Sequence, residues 1–474
     1  MYAGVLGSGI AAVLPVFFGD RWPHETGFYA AIACKAAREG KWLPLEVSDG
    51  LYFNKPPLGF WAYAASIKLF GTETWAIHLP TLLCVLGLGL CIAYTGRRLG
   101  GTLCGFFAGV SLYLVRPFAE QYDWLRLDYL HALLIWLGVA LFVRGVTENP
   151  ERRGCWIELS GVPIGLALLV KPLFALGAFA VLLAWLGLAA FGGRSRDPRG
   201  DWPPRVRSVL GSTVRAVAIA ALIALPWHLW MALSHSDAFF HVYLGEQILD
   251  RATHTVDGAE RWTWYFATIA EWWPEVLVMI GVGIASILSG RLGPQQRAAG
   301  LGVIWTVAWL IALSCFLDKR THYLVHIYPG LALATGAVAA RCVPLHLQRL
   351  GTKTGCLASA VAVTISIAMS PGWALQLPKG ERCRPRALWE PVEAVLRTLP
   401  PERVYNGSLA YYDAGRMYVK TGRWPRSADW RGNPHEHIPG GAIAVYNLLI
   451  RAPDVRDQVL LESWPIVVVR MSER

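Results

Sequence analysis

Charged residues are scarce in this chain of 474 residues, because only 16% are Asp, Glu, Lys or Arg, against roughly 25% in soluble domains. Nucleotide-binding motifs of the Walker A and GxGxxG types are missing too, which leaves ATP-driven transport without support. The nine cysteines form no CxxC pair, so zinc-finger spacing is absent. Instead, 54% of the residues are hydrophobic, and their long runs indicate an integral membrane protein.

The net charge of +11 gathers as arginines in short loops between apolar segments. The positive-inside rule explains this pattern, and we therefore expect a cytoplasmic N-terminus and no nucleic-acid partner. The apolar segments predict about eleven transmembrane helices, several of them shorter than the usual ~20 residues. They are 2–19, 77–93, 102–117, 127–143, 157–170, 172–190, 210–233, 274–288, 301–316, 322–340 and 356–369. An odd number of spans places the C-terminus outside.

Two regions follow from this topology. Residues 1–370 are predicted to form a multi-span α-helical membrane domain with a large first outer loop, residues 20–76. Within that loop, the short apolar stretch 57–70 suits a helix lying in the membrane interface. Residues 371–474 are polar and combine a helix-like stretch (387–399) with strand-like segments at 404–405, 442–447 and 465–469. They predict a small extracytoplasmic α/β domain, and we expect the whole chain to be a monomer.

The first outer loop carries groups that could perform chemistry. His24 and Glu25 stand near its start, and Lys55 precedes a rigid Pro56-Pro57 turn. A carboxylate can hold a nucleophile or a metal, and a lysine on a stiff turn can meet a phosphate. A solvated loop with a charged helix explains the same residues equally well.

Two single charges interrupt apolar sequence. Asp128 opens the predicted span 127–143, and a carboxylate at membrane depth is a functional candidate. The alternative is an acid that complements the positive end of the helix dipole. Lys171 follows ten uncharged residues, and it could equally be a lysine that reaches back to the interface.

Two later loops on the same predicted side add further candidates. Residues 234–262 carry Glu246, Arg251 and His254, a mixture of charges that a solvated loop would also show. The sequence from Asp318 to Tyr323 is more specific, because a basic turn outside the membrane opposes the positive-inside bias. Such a turn can bind the phosphate of a lipid carrier. Its candidate residues are Lys319, Arg320, His322 and Tyr323.

These motifs resemble those of GT-C membrane glycosyltransferases, and most of all the branch with the lipid A aminoarabinose transferases, related to protein O-mannosyltransferases. The resemblance covers residues 1–340 and rests on the following stretches: His24-Glu25-Thr26, Lys55-Pro56-Pro57 with Phe60-Trp61, Arg126-Leu127-Asp128, Lys171-Pro172, Leu225-Pro226-Trp227, Glu246 with Arg251, and His322-Tyr323 with Tyr328-Pro329. The chain departs from the family where His24 replaces an Asp, Gly27 an Arg, and Asn54 a frequent acid. These departures put metal binding and donor selectivity in question.

The resemblance implies a polyprenyl-phosphate sugar donor, attacked by a lipid A-like glycolipid or another envelope acceptor outside a bacterial inner membrane. Asp128 or Glu25 would then be the general base, with His24 as an assisting base or ligand. Lys55, Arg251 and Lys319 would clamp the phosphate together with Arg320 and Tyr323. Glu246, His254, Lys171 and His322 remain acceptor-binding or structural candidates. The resemblance identifies no definite cofactor, and a divalent metal is left open with His24, Glu25 and His254 as its candidate ligands.

Three other functions stay open at this point. A transporter or flippase for lipid-linked sugars would need functional charges on both sides of the membrane, whereas these cluster on one side. A protein O-glycosyltransferase would use the same donor with a different acceptor. A non-catalytic scaffold is also compatible with the loss of the family's Asp at His24.

Overall fold

The structure is a computed structural model, and it describes most of the chain. The described residues are 1–18, 26–47, 50–119, 125–171, 174–191, 206–250, 253, 261–289, 295–343, 386–399, 404–406, 411–422, 426–427, 442–447, 458–463 and 466–471.

The first half of the chain is almost entirely helical. Its α-helices are α1 Tyr2–Phe18, α2 Thr26–Glu39, α3 Leu58–Phe70, α4 Thr74–Gly100, α5 Thr102–Leu114, α6 Arg116–Ala119, α7 Leu127–Val146, α8 Pro150–Leu159, α9 Gly161–Leu168, α10 Gly177–Phe191 and α11 Val206–Ser234. Two short strands, β1 Glu46–Val47 and β2 Gly50–Leu51, pair antiparallel between α2 and α3. A 3₁₀ turn, Phe174–Leu176, precedes α10.

The second half adds helices and a sheet. Its α-helices are α12 Ser236–Ala238, α13 Trp264–Trp272, α14 Pro274–Ser289, α15 Gln296–Ser314, α16 Tyr328–Cys342, α17 Arg386–Thr398 and α18 Tyr411–Thr421. A π-helix, Phe239–Asp250, follows α12, and a 3₁₀ turn, Thr321–His326, lies between α15 and α16. We call this second turn the histidine turn. The strands are β3 Val404–Asn406, β4 Arg426–Ser427, β5 Ile443–Asn447, β6 Gln458–Ser463 and β7 Ile466–Arg470.

Four described helices are long and apolar enough to cross a membrane: α4, α7, α15 and the Val209–Ser234 part of α11. The count rises to five if α13 and α14, which are bent by 109° at their junction, form one broken span. Much of α11 faces outward with exposed apolar side chains such as Leu222 and Leu233. Soluble proteins rarely expose such a large apolar face to water, and the chain is therefore a multi-span helical membrane protein.

The predicted number of about eleven spans is not confirmed. Apolar helices α1, α3, α5 and α10 have 13 to 17 residues, fewer than the ~20 that a bilayer requires. The predicted span 157–170 is divided at Ser160 between α8 and α9, and 322–340 begins as the histidine turn. Segment 356–369 lies outside the described residues. Hydropathy alone locates these apolar stretches without revealing where the backbone breaks.

Small residues let the helices approach closely. A Cβ at Gly96 in α4 would lie 3.0 Å from Gly105 Cα in α5, and one at Gly336 in α16 would lie 2.3 Å from Ala108 N. Without a hydrophobic driving force in lipid, such small-residue contacts are how membrane helices pack. They bring α4, α5 and α16 into one bundle beside α7.

The C-terminal part forms a mixed five-stranded sheet in the order β4-β3-β5-β7-β6. Strand β3 runs parallel to β4 and β5, whereas β7 runs antiparallel to β5 and β6. Along β5, Ile443 and Val445 pack toward the core that contains Trp389 of α17, and Ala444 and Tyr446 pack on the opposite face. This alternation follows from the two-residue period of a strand. A domain boundary near residue 371 remains a prediction.

Helix α18 docks the C-terminal part on α2 of the first loop. The Arg38 guanidinium donates hydrogen bonds to the carbonyls of Tyr418 and Val419 at 3.1 and 2.8 Å. The Tyr418 hydroxyl bonds Glu39 at 3.1 Å, and the Lys420 ammonium donates to Thr72 O at 2.9 Å. The guanidinium thus lies at the C-terminal end of α18, where it shares the Tyr418 carbonyl with the N–H of Gly422 and bonds the Val419 carbonyl.

Candidate functional site

The turn that carries Lys55 is fixed by its own prolines and by a contact to a distant segment. Pro56 and Pro57 are buried, and α3 begins directly after them. The backbone N–H of Leu58 donates a hydrogen bond to Leu169 O at 3.0 Å. Since Leu169 is two residues before Lys171, this bond brings the Lys55 turn and the Lys171 segment together.

The start of α7 is held by two helices, α2 and α3. The Tyr63 hydroxyl of α3 donates to Arg126 O at 3.1 Å, and the N–H of Leu125 donates to Thr26 Oγ1 at 3.2 Å. Gly59 lets α3 lie directly on Leu127, because a Cβ at that position would come within 2.5 Å of Leu127 Cδ2. Thr26 belongs to the motif predicted from the sequence, so the first loop is tied to the residues that precede Asp128.

Asp128 forms a buried ion pair with Lys171. Its side chain is 5% exposed, and Oδ1 lies 2.5 Å from the Lys171 Nζ. The same ammonium lies 5.2 Å from the centre of the Tyr323 ring, so an aromatic face of the histidine turn covers the pair. The suggestion that Lys171 only reaches back to the interface is therefore incomplete, because the ammonium meets a carboxylate and a ring.

His322 lies among the charges of the neighbouring segments. Burial and then the charge of Arg126 hold the pKa of His322 well below its usual value, Asp128 opposes this, and Lys171 and Lys55 add to it. The imidazole is therefore neutral at pH 7. We call these five residues the charge cluster: Lys55, Arg126, Asp128, Lys171 and His322. Three cations and one carboxylate give the cluster an excess of positive charge.

A second histidine contact lies one helical turn further along α7. His131 Nδ1 and His326 Nε2 are 2.8 Å apart, and both side chains are buried. The ring of Trp309 stacks on His326 at 5.3 Å between centroids, and Trp305 Nε1 donates to His326 O at 2.8 Å. The histidine turn is thus packed between α7 and α15.

Lys319 and Arg320 have partners within their own turn. The Lys319 ammonium donates to Phe316 O at 2.6 Å, and Arg320 Nε pairs with Asp318 Oδ1 at 3.0 Å. Tyr265 of α13 bonds both the N–H and the carbonyl of Arg320. Of the predicted basic turn, His322 and Tyr323 are the residues that these contacts bring to Asp128 and Lys171.

The remaining predicted residues are not brought to the charge cluster by any described contact. Glu246 is exposed on the π-helix, and its carboxylate lies 3.5 Å from His241 Nδ1. His24, Glu25, Arg251 and His254 lie outside the described residues. Within the described part of the chain, no three His, Cys, Asp or Glu side chains gather as a metal site. A metal at His24, Glu25 and His254 stays a prediction.

Two features of the site were missed from the sequence. Arg126 was seen only as part of a motif, although a buried cation next to Asp128 is itself a signal of an anion site. His131 follows Asp128 by three residues, a spacing that puts both on one face of a helix. Its partner His326 could not be inferred, because the two residues are 195 positions apart.

Comparison with known sequences supports the resemblance. The family described as dolichyl-phosphate-mannose-protein mannosyltransferase matches residues 54–197, which include Lys55, Asp128 and Lys171. The undecaprenyl phosphate-alpha-4-amino-4-deoxy-L-arabinose arabinosyl transferase 1 of Pseudomonas fluorescens is 26% identical over 336 residues, 69% of this chain and 57% of the relative. A corresponding transferase of Shewanella sediminis is 22% identical over 69% of this chain and 58% of its own length. The chain thus spans less than two thirds of the length of these curated relatives.

Solved structures share the fold over nearly the whole chain. ArnT from Cupriavidus metallidurans bound to undecaprenyl phosphate superposes with a TM-score of 0.71 at 18% identity, covering 98% of this chain and 97% of that one. The archaeal oligosaccharyltransferase AglB from Archaeoglobus fulgidus superposes with a TM-score of 0.56 at 11% identity, covering 92% and 65%. The predicted resemblance is therefore confirmed, and this multi-span membrane chain shares its fold with ArnT and AglB.

Proposed function

We propose that the chain is an integral membrane glycosyltransferase that moves a sugar from a polyprenyl phosphate to a lipid A-like glycolipid or another envelope acceptor. The observation that carries this proposal is the charge cluster, where the charges of Lys55, Arg126 and Lys171 all act on the His322 imidazole and Lys171 is paired with Asp128. The names of the relatives support a polyprenyl-phosphate donor. We further propose a bacterial inner membrane location, with the site on the periplasmic side.

The cluster suits a phosphate because its positive charge is in excess and fixed before any ligand arrives. Cations held in a water-poor site stabilise the charge that develops on a leaving phosphate far better than they would in water. Lys55 on its proline turn, Arg126 at the start of α7 and Lys171 behind Asp128 come from three segments. Together they can contact several phosphate oxygens at once.

The reaction needs one bond made and one broken. An acceptor oxygen or nitrogen attacks the anomeric carbon of the sugar, and the carbon–oxygen bond to phosphate breaks with its electron pair going to the polyprenyl phosphate. The proton of the acceptor goes to a carboxylate, either Asp128 or Glu25. Asp128 Oδ1 is already bonded to Lys171, so a proton would go to the other oxygen or follow release of the ammonium to the phosphate.

The decisive experiment incubates purified full-length protein in nanodiscs with undecaprenyl phosphate-linked sugars and with lipid A or a peptide as acceptor. We expect sugar on lipid A and free undecaprenyl phosphate in equal amounts, which mass spectrometry would measure. Transfer to the peptide alone would identify a protein O-glycosyltransferase. Movement of the donor across a liposome bilayer without any transfer would identify a flippase. Assays with and without EDTA would test the metal.

A further inference from the structure

The buried contact between His131 and His326 has a defined hydrogen-bond direction. The carbonyl of Tyr323 can only accept, so His326 Nδ1, 3.1 Å away, carries a hydrogen. Burial lowers the pKa of His326 to about 4, and its imidazole is therefore neutral at pH 7. A neutral imidazole with a hydrogen on Nδ1 has a lone pair on Nε2. His131 Nδ1, 2.8 Å away, must donate to it.

This hydrogen bond closes a ring of contacts that includes the charge cluster. Asp128 and His131 lie one turn apart on α7. From Asp128 the ring passes through the Lys171 ammonium to the face of Tyr323. The Tyr323 carbonyl then bonds His326, and His326 returns to α7 at His131. The histidine turn is thus attached to α7 at two points, at Asp128 through Lys171 and at His131 through His326.

Among these contacts, the hydrogen bond between His131 and His326 has its geometry fixed by neighbouring side chains. Trp309 stacks on His326 with an interplanar angle of 25°, and Trp305 holds the His326 carbonyl. The Lys171 ammonium is held by Asp128, and its contact with the Tyr323 ring, at 5.2 Å and without a hydrogen-bond direction, constrains the turn less. A shift of the histidine turn would move both His322 and Tyr323 relative to Asp128.

We propose that His131 and His326 are positioning residues that fix the histidine turn on α7 and thereby set the affinity of the charge cluster for an isoprenoid phosphate. The inference rests on the proposed function for its ligand. The attachment of the histidine turn to α7 can be tested independently of the proposed function. Neither histidine is assigned any contact with the reacting atoms.

Three substitutions separate the hydrogen bond from simple packing. His131→Leu removes the donor, whereas His131→Asn places an amide N–H close to the position of Nδ1 and preserves it. His326→Asn keeps a donor toward Tyr323 O and loses the acceptor for His131. His326→Asn is a polar change on the other partner of this hydrogen bond. It therefore serves as a control for misfolding that is caused only by a leucine at position 131.

Each variant would be studied as full-length protein in nanodiscs by hydrogen–deuterium exchange and by binding of undecaprenyl phosphate. We expect His131→Leu and His326→Asn to speed exchange in peptides covering 318–327 and leave α16 unchanged. Both should weaken binding about tenfold, the effect of one lost buried hydrogen bond. Turnover at saturating donor should stay close to wild type. His131→Asn should behave like wild type in all three measurements.

Two results would overturn the proposal. One is normal exchange and normal binding in both disrupted variants, which would show that the pair does not hold the turn. The other is an equal loss in His131→Leu and His131→Asn, which would indicate packing alone. If the wild-type protein did not bind undecaprenyl phosphate, the proposed function would fail, and the exchange data would still decide whether the pair fixes the turn.

Discussion

Two buried ion pairs in this protein are built alike and differ in their surroundings. In the membrane part, Lys171 meets Asp128 and lies 5.2 Å from the ring of Tyr323. In the C-terminal part, Arg416 of α18 meets Glu393 of α17 at 3.3 Å and lies 5.5 Å from the ring of Trp389. Each pair is a cation held between a carboxylate and an aromatic face.

The difference is the charge around each pair. Lys55 and Arg126 add two cations whose charges act on His322 together with those of the membrane pair. The other pair joins α17 to α18 next to the apolar core of the sheet. A pair that is matched in charge strengthens packing, whereas a pair with surplus cations can receive an anion. The comparison therefore favours the proposal that the first pair binds an anion and the second stabilises the fold.

The largest effect should follow from Lys55→Met. Losing one preorganised cation of the charge cluster should lower kcat/KM for the donor about 10²- to 10³-fold, because phosphate charge increases as the sugar leaves. Initial rates at varied donor concentration would measure it. Lys68→Met is the matched control, since Lys68 lies 5.8 Å from the Trp42 ring at the end of α3. Similar losses in both variants would contradict a specific role for Lys55.

The two carboxylates should respond differently to the same change. Asp128→Asn should reduce turnover at saturating donor by ~10²–10⁴-fold, the usual effect of losing a general base. Glu393→Gln should keep turnover and lower Tm, because it leaves a buried guanidinium without its carboxylate. Combining Asp128→Asn with Lys171→Met distinguishes a general base from a residue that only holds Lys171 in place. If Asp128 only anchored Lys171, the double variant would be as active as Lys171→Met alone.

Near-native turnover of Asp128→Asn would move the base to Glu25. Thr26, the neighbour of Glu25, is bonded to Leu125, so the two candidates belong to segments that meet. If Glu25→Gln were also active, the transferase assignment would be wrong for this chain.

The sequence predicted single structural elements better than it predicted how they meet. Local patterns were sufficient for the helical stretches, for the Lys55 turn and for the acid at the start of α7, because each depends on neighbours along the chain. Lys171 remained ambiguous, since a lysine at a helix end has the same pattern whether it faces water or a carboxylate. The His131–His326 contact and the docking of α18 on α2 depend on tertiary packing that one sequence does not encode visibly.

The histidine turn should make stability depend on pH. Burial holds the pKa of His322 well below its usual value and lowers that of His326 to about 4, whereas both should be near ~6.5 after unfolding. Their contribution is therefore complete above pH ~6.5 and declines as pH falls toward the folded value. For His326 the stability lost by pH 5 amounts to about 2 kcal/mol. Tm should fall between pH 7 and pH 5, and less steeply in His326→Asn.

The smallest expected effect concerns the contact between the first loop and the C-terminal part, where Cys34 can serve as a reporter. Cys34 lies in the core shared by α2 and α18, with Tyr418 and Val419, and burial raises its thiol pKa to about 11. A buried thiol that is protonated at pH 7.5 should resist maleimide. Cys34 and Cys383 are the two cysteines that the sequence places outside the membrane, so a disulfide between them is a prediction. Cys383 lies outside the described residues, and Cys34 is a free thiol in the structure.

Arg38→Met removes the two hydrogen bonds to α18, so we expect Cys34 to be labelled several-fold faster while transfer falls only two- to threefold, as a loss of about 0.5 kcal/mol would give. Lys41→Met is the control, because Lys41 pairs with Glu46 at the surface. Peptide mapping by mass spectrometry would measure labelling at Cys34 and would detect a Cys34–Cys383 disulfide in unreduced protein. Labelling of Arg38→Met at the wild-type rate would show that Arg38 does not hold the contact. A loss of transfer as large as that of Lys55→Met would contradict the division into a binding region and a structural one. It would show that the charge cluster functions only when α18 is docked on α2.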